Sequence, residues 1–171
     1  MKKLFMTTIL IMLTLCLYSQ KDAPVEHVYA FLSEHFVSLY ANSVGEKSIL
    51  LIENTNQDFY LLSLMQKRNH RYFVVLNNIS SSDTIFYHGW INRSATGIAF
   101  SSDIIELYKK PTEKSQNVQL AIPLGTIVAT VLDFKKNGWM KCSFFIDNEL
   151  FTGWLPNKYQ CYNLFTMCCG N

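Results

Sequence analysis

The chain has 171 residues, with 15 Lys and Arg against 13 Asp and Glu. Lys2 and Lys3 fall in an N-terminal segment with the form of a signal peptide, and without them the charges stand at 13 against 13; a formally neutral chain has no field to hold nucleic acid or an acidic membrane surface. Aromatics make up 14% of residues while Gly (7) and Pro (4) are scarce, which suits a β-rich fold with small cores and excludes disordered and low-complexity classes.

Met1-Lys2-Lys3 leads into the nearly unbroken apolar run Leu4 to Leu17. A cationic start followed by an apolar stretch too short to prefer spanning a bilayer predicts a secretory signal. Cleavage is expected after Ser19, which assigns 1–19 to the signal and sends the remainder to the periplasm or outside the cell. Two other readings stay open. Leu17 and Tyr18 are bulky for a cleavage site, which admits an uncleaved anchor. Leu13-Thr14-Leu15-Cys16 has the outline of a lipidation motif, although Leu15 stands where a small residue is wanted. Membrane attachment is expected only if Cys16 carries a lipid.

Val25 to Leu39 carries a partial three-to-four apolar spacing after Asp22-Ala23-Pro24. A strand or a short helical turn is expected over 25–34, with strand from 35, because the stretch from Val37 onward repeats later in the chain. Val37-Ser38-Leu39-Tyr40 matches Ile105-Glu106-Leu107-Tyr108, and Glu46-Lys47-Ser48 matches Glu113-Lys114-Ser115. Tyr72 to Leu76 aligns with Trp139 to Ser143, which sets Cys142 against Val75, and Phe86-Tyr87-His88-Gly89-Trp90-Ile91 aligns with Leu150 to Leu155. The offsets are 68, 67, 67 and 64, so the landmarks keep their order and drift only as small turn insertions would make them.

The second copy reads as five strands. Ile104 to Tyr108 is apolar, Pro111 to Asn117 is a polar loop, and Val118 to Ile122 alternates. Thr126 to Phe134 is β-branched and apolar and ends at Lys135-Lys136-Asn137-Gly138, a hairpin signal. Trp139 to Ile146 is the next strand, Asp147-Asn148 turns the chain, and Leu150 to Leu155 closes the unit. The division predicted is 25–99 and 100–171, joined over 98–104 by a segment short enough to pack the units together.

Five cysteines occur. Cys16 leaves with the signal unless lipidated, and Cys161, Cys168 and Cys169 crowd the tail. In an oxidising compartment Cys161 with Cys168 or Cys169 would staple that tail. A metal site is disfavoured: the tail has no histidine and no C-x-x-C pair occurs. No cofactor or metal is expected.

A unit with Leu107-Tyr108, Pro111, Glu113-Lys114-Ser115, a β-branched strand, Asn137-Gly138-Trp139-x-Lys141 and Gly153-Trp154-Leu155 resembles a bacterial SH3-like domain. The segment 105–159 fits well; 35–98 fits less well, because Tyr72 replaces the Trp and no Pro matches Pro111. The tail from Gln160 to Cys168 is similar to the ends of secreted SH3-like proteins of Bacteroidetes type. The resemblance implies an all-β protein of two tandem SH3-like five-stranded, partly open barrels. It also implies a noncatalytic accessory role in binding a peptide, a peptidoglycan fragment or an envelope protein.

Gly89 and Gly153 are expected to bend strands at barrel corners, and Trp90 and Trp154 to pack the core. Tyr40, Tyr72, Tyr108, Trp139 and Tyr159 are the candidate ligand aromatics, for stacking on an extended peptide. An enzyme is not expected, because Cys142 has neither a histidine nor a helix N-terminus beside it in sequence and two units leave no room for a catalytic domain. A blocker of a secreted toxin or enzyme is the alternative class.

Overall fold

The computed structural model describes residues 28–55, 60–78, 86–123 and 127–162. The segment 1–19 expected to be a signal, with Cys16, and the tail cysteines Cys168 and Cys169 lie outside them. The strands are β1 (Val28–Leu32), β2 (Phe36–Tyr40), β3 (Ser48–Glu53), β4 (Tyr60–Arg68), β5 (Arg71–Asn78), β6 (Phe86–Asn92), β7 (Thr96–Phe100), β8 (Ile104–Tyr108), β9 (Asn117–Ala121), β10 (Ala129–Phe134), β11 (Met140–Ile146), β12 (Glu149–Leu155) and β13 (Gln160–Cys161). One 3-10 turn, Arg93–Ala95, links β6 to β7, and another, Asn157–Tyr159, links β12 to β13. The protein is all-β among the described residues. The segment 25–34, for which either a strand or a short helical turn is expected, contains strand β1.

Local chemistry accounts for the elements. In β5 the period of two is strict: Tyr72, Val74, Leu76 and Asn78 point inward and the residues between them are half-buried. Asp147 and Asn148 both take positive φ, 49° and 67°, the geometry of a two-residue hairpin turn that Asp and Asn tolerate. Gly138, at φ 82°, closes the hairpin between β10 and β11 as its Asn-Gly pair predicts.

Pairing runs in the order β3-β2-β6-β5-β4-β1-β7-β10-β11-β12-β8-β9, with β13 on β7. Every pair is antiparallel, and the path is open at β3 and β9. One open antiparallel sheet thus stands where two tandem, partly open barrels are expected. The sheet is continuous because β1 and β10 both pair with β7, at Phe31↔Gly97 and Leu32↔Thr96 on one strand and at Ala129↔Ile98 and Thr130↔Gly97 on the other. The expected boundary at 99/100 falls inside β7.

The repeat is nonetheless written into the pairing. The succession β2-β3 hairpin, β2 to β6, β6 to β5, β5 to β4, β4 to β1 recurs as β8-β9, β8 to β12, β12 to β11, β11 to β10, β10 to β7. One irregularity recurs as well: β4 has a bulge between Leu64 and Gln66, and β10 has one between Val131 and Asp133. Strand β7 has two positions in this scheme. It is the last strand of the first copy, paired with β1, and the first strand of the second, paired with β13 at Ala99↔Cys161 and Phe100↔Gln160.

The register moves two of the sequence matches by a residue or more. Tyr72 stands opposite Ile91 and Met140 opposite Leu155, so Tyr72 corresponds to Met140, and Trp139 corresponds to Arg71. Likewise Cys142, opposite Gly153, corresponds to Val74, opposite Gly89, rather than to Val75. Ser48 pairs with Tyr40, whereas Asn117 pairs with Tyr108, so the Glu-Lys-Ser triads are not equivalent.

The Leu-Tyr and Gly-Trp landmarks meet in space. Tyr40↔Trp90 is the single registered pair joining β2 to β6, and Tyr108↔Trp154 is the single registered pair joining β8 to β12. Beside each pair a leucine lies on the glycine: a Cβ at Gly89 would come 2.8 Å from Leu39 Cγ, and one at Gly153 would come 2.5 Å from Leu107 Cγ. The glycines therefore serve close approach of the facing strand.

One hydrophobic cluster runs through both copies, from Val28, Leu62 and Tyr72 to Val131, Met140 and Leu155. Tyr72 is fully buried; its hydroxyl donates to the Val131 carbonyl at 3.1 Å, and its ring meets Phe134 edge-on at 5.4 Å. Burial raises its pKa.

Two measurements test these contacts. Gly153→Ala is expected to cost about 1–3 kcal/mol by overpacking in urea denaturation, and combining it with Leu107→Ala should cost less than the two single changes together. Tyr72→Phe, which removes the hydroxyl's bond to the Val131 carbonyl, is expected to cost about 1 kcal/mol in the same titration.

Candidate functional site

The candidate site lies where the first copy meets the second. Strands β4 and β5 are joined by Asn69-His70, with Asn69 at φ 52°, a left-handed position that Asn accepts. That turn sits beside Asn92 and the 3-10 turn at the end of β6, where the Arg93 N–H donates to the His70 carbonyl at 3.0 Å. Across from them lies the bulge of β10. A bulge leaves backbone groups outside the ladder, and the carbonyls here accept from side chains: Val131 from Tyr72, and Leu132 from Arg93 Nη1 at 3.1 Å.

Two open clefts result. One, of about 660 Å³, is lined by Lys67, His70, Asn92, Arg93 and Ser94 from the first copy and by Thr130, Leu132, Asp133 and Lys141 from the second. The other, of about 610 Å³, is lined by Ser43, Val44, Asn69, His70, Arg71 and Asn92. His70 and Asn92 border both, so the clefts adjoin.

Lys67, Asp133, Arg71 and Arg93 are held in place. Lys67 Nζ pairs with Asp133 Oδ1 at 2.6 Å, and the same oxygen accepts the Phe134 N–H at 2.8 Å. Arg93 Nη2 donates to His70 Nδ1 at 3.3 Å; a guanidinium only donates, so a neutral His70 carries its proton on Nε2. Arg71 lies 3.5 Å over the Tyr40 ring, its Nε donates to Asn92 Oδ1 at 3.2 Å, and its Nη1 donates to the Asn42 and Gly45 carbonyls at 3.2 and 2.6 Å. The loop that supplies those carbonyls is itself ordered by Asn42 Oδ1, which accepts the N–H groups of Val44 and Gly45.

None of the five candidate ligand aromatics lines these clefts. Tyr72 is in the core, and Tyr40 lies under Arg71. Tyr108 and Trp139 are 4% and 9% exposed in a small cluster with Trp154, their rings edge-on at 5.2 Å. The Tyr108 hydroxyl donates to Glu106 Oε2 at 2.6 Å, which holds the Glu106 carboxyl below the usual carboxylate range and raises the tyrosine. Tyr159 is half-buried with Lys158 Nζ 4.8 Å over its ring. These aromatics do not converge on one groove. Trp90 is half-buried against Phe73, ring centroids 5.5 Å apart.

The residues that do converge have a signal in the sequence that motif matching passes over: they are positions where the two copies differ. By register Arg71 stands where the second copy has Trp139, and Lys67 where it has Phe134. Lys141 stands where the first copy has Phe73. An aromatic exchanged for a cation between copies marks a surface that one copy closes and the other leaves polar.

No protein-family model matches the chain, and no curated protein is significantly similar to it. Among the described residues no three His, Cys, Asp or Glu side chains are grouped to hold a metal ion. Cys142 is the free thiol among them; it is fully buried, and burial pushes its pKa up to about 12. A thiol in that setting is inert. In the folded protein at pH 8, iodoacetamide is expected to leave Cys142 unmodified over hours, and mass spectrometry should find it alkylated once urea unfolds the chain.

Proposed function

We propose that the protein is an exported, noncatalytic binding module of two SH3-like units sharing a strand, and that it recognises a peptide, a cell-wall fragment or an envelope protein. The observation that carries this reading is the pair of adjoining clefts, the larger spanning both copies, whose two arginines are fixed by neutral acceptors before any ligand arrives. Side chains held by backbone carbonyls lose little freedom on binding, which favours recognition. The SH3-like assignment rests on the motifs of the second copy, which fall on β8, the β10–β11 turn and β12, and on the recurrence of its strand succession in the first copy. Export rests on the segment 1–19, and the buried, inert Cys142 supports a role without catalysis.

The proposal includes a stapled tail. Cys161 is buried on β13 and is not a free thiol, which supports its pairing with Cys168 or with Cys169. The two-residue strand β13 would gain most from that bridge.

Immobilised protein is expected to retain muropeptides or a protein from an envelope extract, and to leave muropeptides unhydrolysed. Arg93→Ala with Lys141→Ala should weaken retention about tenfold or more, the worth of one or two charge-assisted hydrogen bonds. Retention of neither material would refute the binding reading, and cleavage of the muropeptides would refute the absence of catalysis.

A further inference from the structure

The charges of the joined clefts are unbalanced in a chain whose exported part is formally neutral. The larger cleft holds three cations, Lys67, Arg93 and Lys141, against one carboxylate, Asp133. That carboxylate is already engaged by Lys67. Lys141 stands opposite Asp133 in the ladder and has no ion pair among the described residues. The smaller cleft adds Arg71 and no acid.

Among the described residues neither arginine is paired with a carboxylate. Arg93 bonds a carbonyl and an imidazole nitrogen, and Arg71 bonds two carbonyls and an amide oxygen. Each guanidinium has five N–H donors. Both are therefore held in place by neutral acceptors, keep full charge, and retain donors. An arginine fixed by neutral groups with donors to spare is arranged for an anion, and its planar fork suits a carboxylate. Two open clefts that share His70 and Asn92, with cations in both, suit a chain with repeated carboxylates better than one small ion.

We propose that the joined clefts bind an extended acidic peptide segment, with Arg71, Arg93 and Lys141 receiving its carboxylates and His70 and Asn92 lying between them. The proposal rests on the binding-module reading and specifies its ligand as carboxylate-rich peptide.

The test is fluorescence anisotropy on the whole exported chain with three labelled peptides of equal length: Gly with Glu at alternate positions, the same with Gln, and the same with Lys. The Glu peptide is expected to bind at least tenfold more tightly than the Gln peptide, with the Lys peptide unbound, and its affinity should fall as NaCl rises from 50 to 300 mM. Lys141→Gln, which breaks no side-chain bond among the described residues, should weaken Glu-peptide binding about tenfold at an unchanged melting temperature. Lys109→Gln, on a turn away from the clefts, should leave it unchanged. Equal binding of the Glu and Gln peptides overturns the acidic preference and leaves the binding-module reading standing. An unaltered affinity in Lys141→Gln overturns the location. Binding of no peptide overturns the proposal, and retention of wall or envelope material then decides alone whether the broader reading survives.

Discussion

Strand β7 supplies backbone hydrogen bonds to three partners within five residues. Thr96 and Gly97 face β1, Gly97 and Ile98 face β10, and Ala99 and Phe100 face β13. A buried strand cannot leave these groups unpaired without a cost of about 1–3 kcal/mol each, so the copies are bound to one another by the same bonds that complete each of them. The continuous core follows from this, as does the position of Tyr72 against Val131. The clefts follow as well, since the β4–β5 turn of one copy is carried to the bulge of the other.

Within each copy a small apposition does comparable work. Leucine lies on glycine and tyrosine pairs with tryptophan where the terminal hairpin meets the rest of the sheet. With one registered residue pair at each of these junctions, packing supplies the hold that the ladder lacks. The second copy closes over its junction with Trp139, burying Tyr108 and Trp154. In the first copy Arg71 takes the equivalent place and covers Tyr40 with a charged plane. The same backbone arrangement thus ends in a dry aromatic cluster on one side and a cationic cleft on the other.

Turn chemistry is local, and it makes most of the second copy legible: the strands at 104–108, 139–146 and 150–155, the Asn137-Gly138 hairpin and the Asp147-Asn148 turn all fall where composition puts them, within a residue or two. The repeat is legible through Leu-Tyr and Gly-Trp because those residues touch. What escapes is set by distance along the chain. The sharing of β7 depends on pairings between residues some 30 to 70 positions apart. The serines that open each copy also escape. Ser33 bonds the Ala95 and Ser94 carbonyls, and Ser101 bonds those of Tyr159 and Lys158. Two small hydroxyls in dissimilar surroundings carry no visible match. The match of Tyr72 to Trp139 is one residue out because the β4–β5 turn is a residue shorter in the first copy. The cleft cations read in sequence as ordinary solvated charge, since only the fold shows that Arg71 and Arg93 lean on carbonyls while Lys141 has no ion pair among the described residues.

The double membership of β7 makes this an array rather than a pair of beads. In a linear array each unit leans on its neighbour, and the terminal units need an ending of their own. Strand β13 occupies in the second copy the place that β7 occupies in the first, but it is pared to two residues, Gln160 and Cys161. The Gln160 amide turns back to the Gly138 and Leu155 carbonyls, at 2.6 and 2.9 Å. The strand that in the first copy reaches on to a second unit is here tied back to its own, so equivalent strands join two copies in one case and brace a single copy in the other.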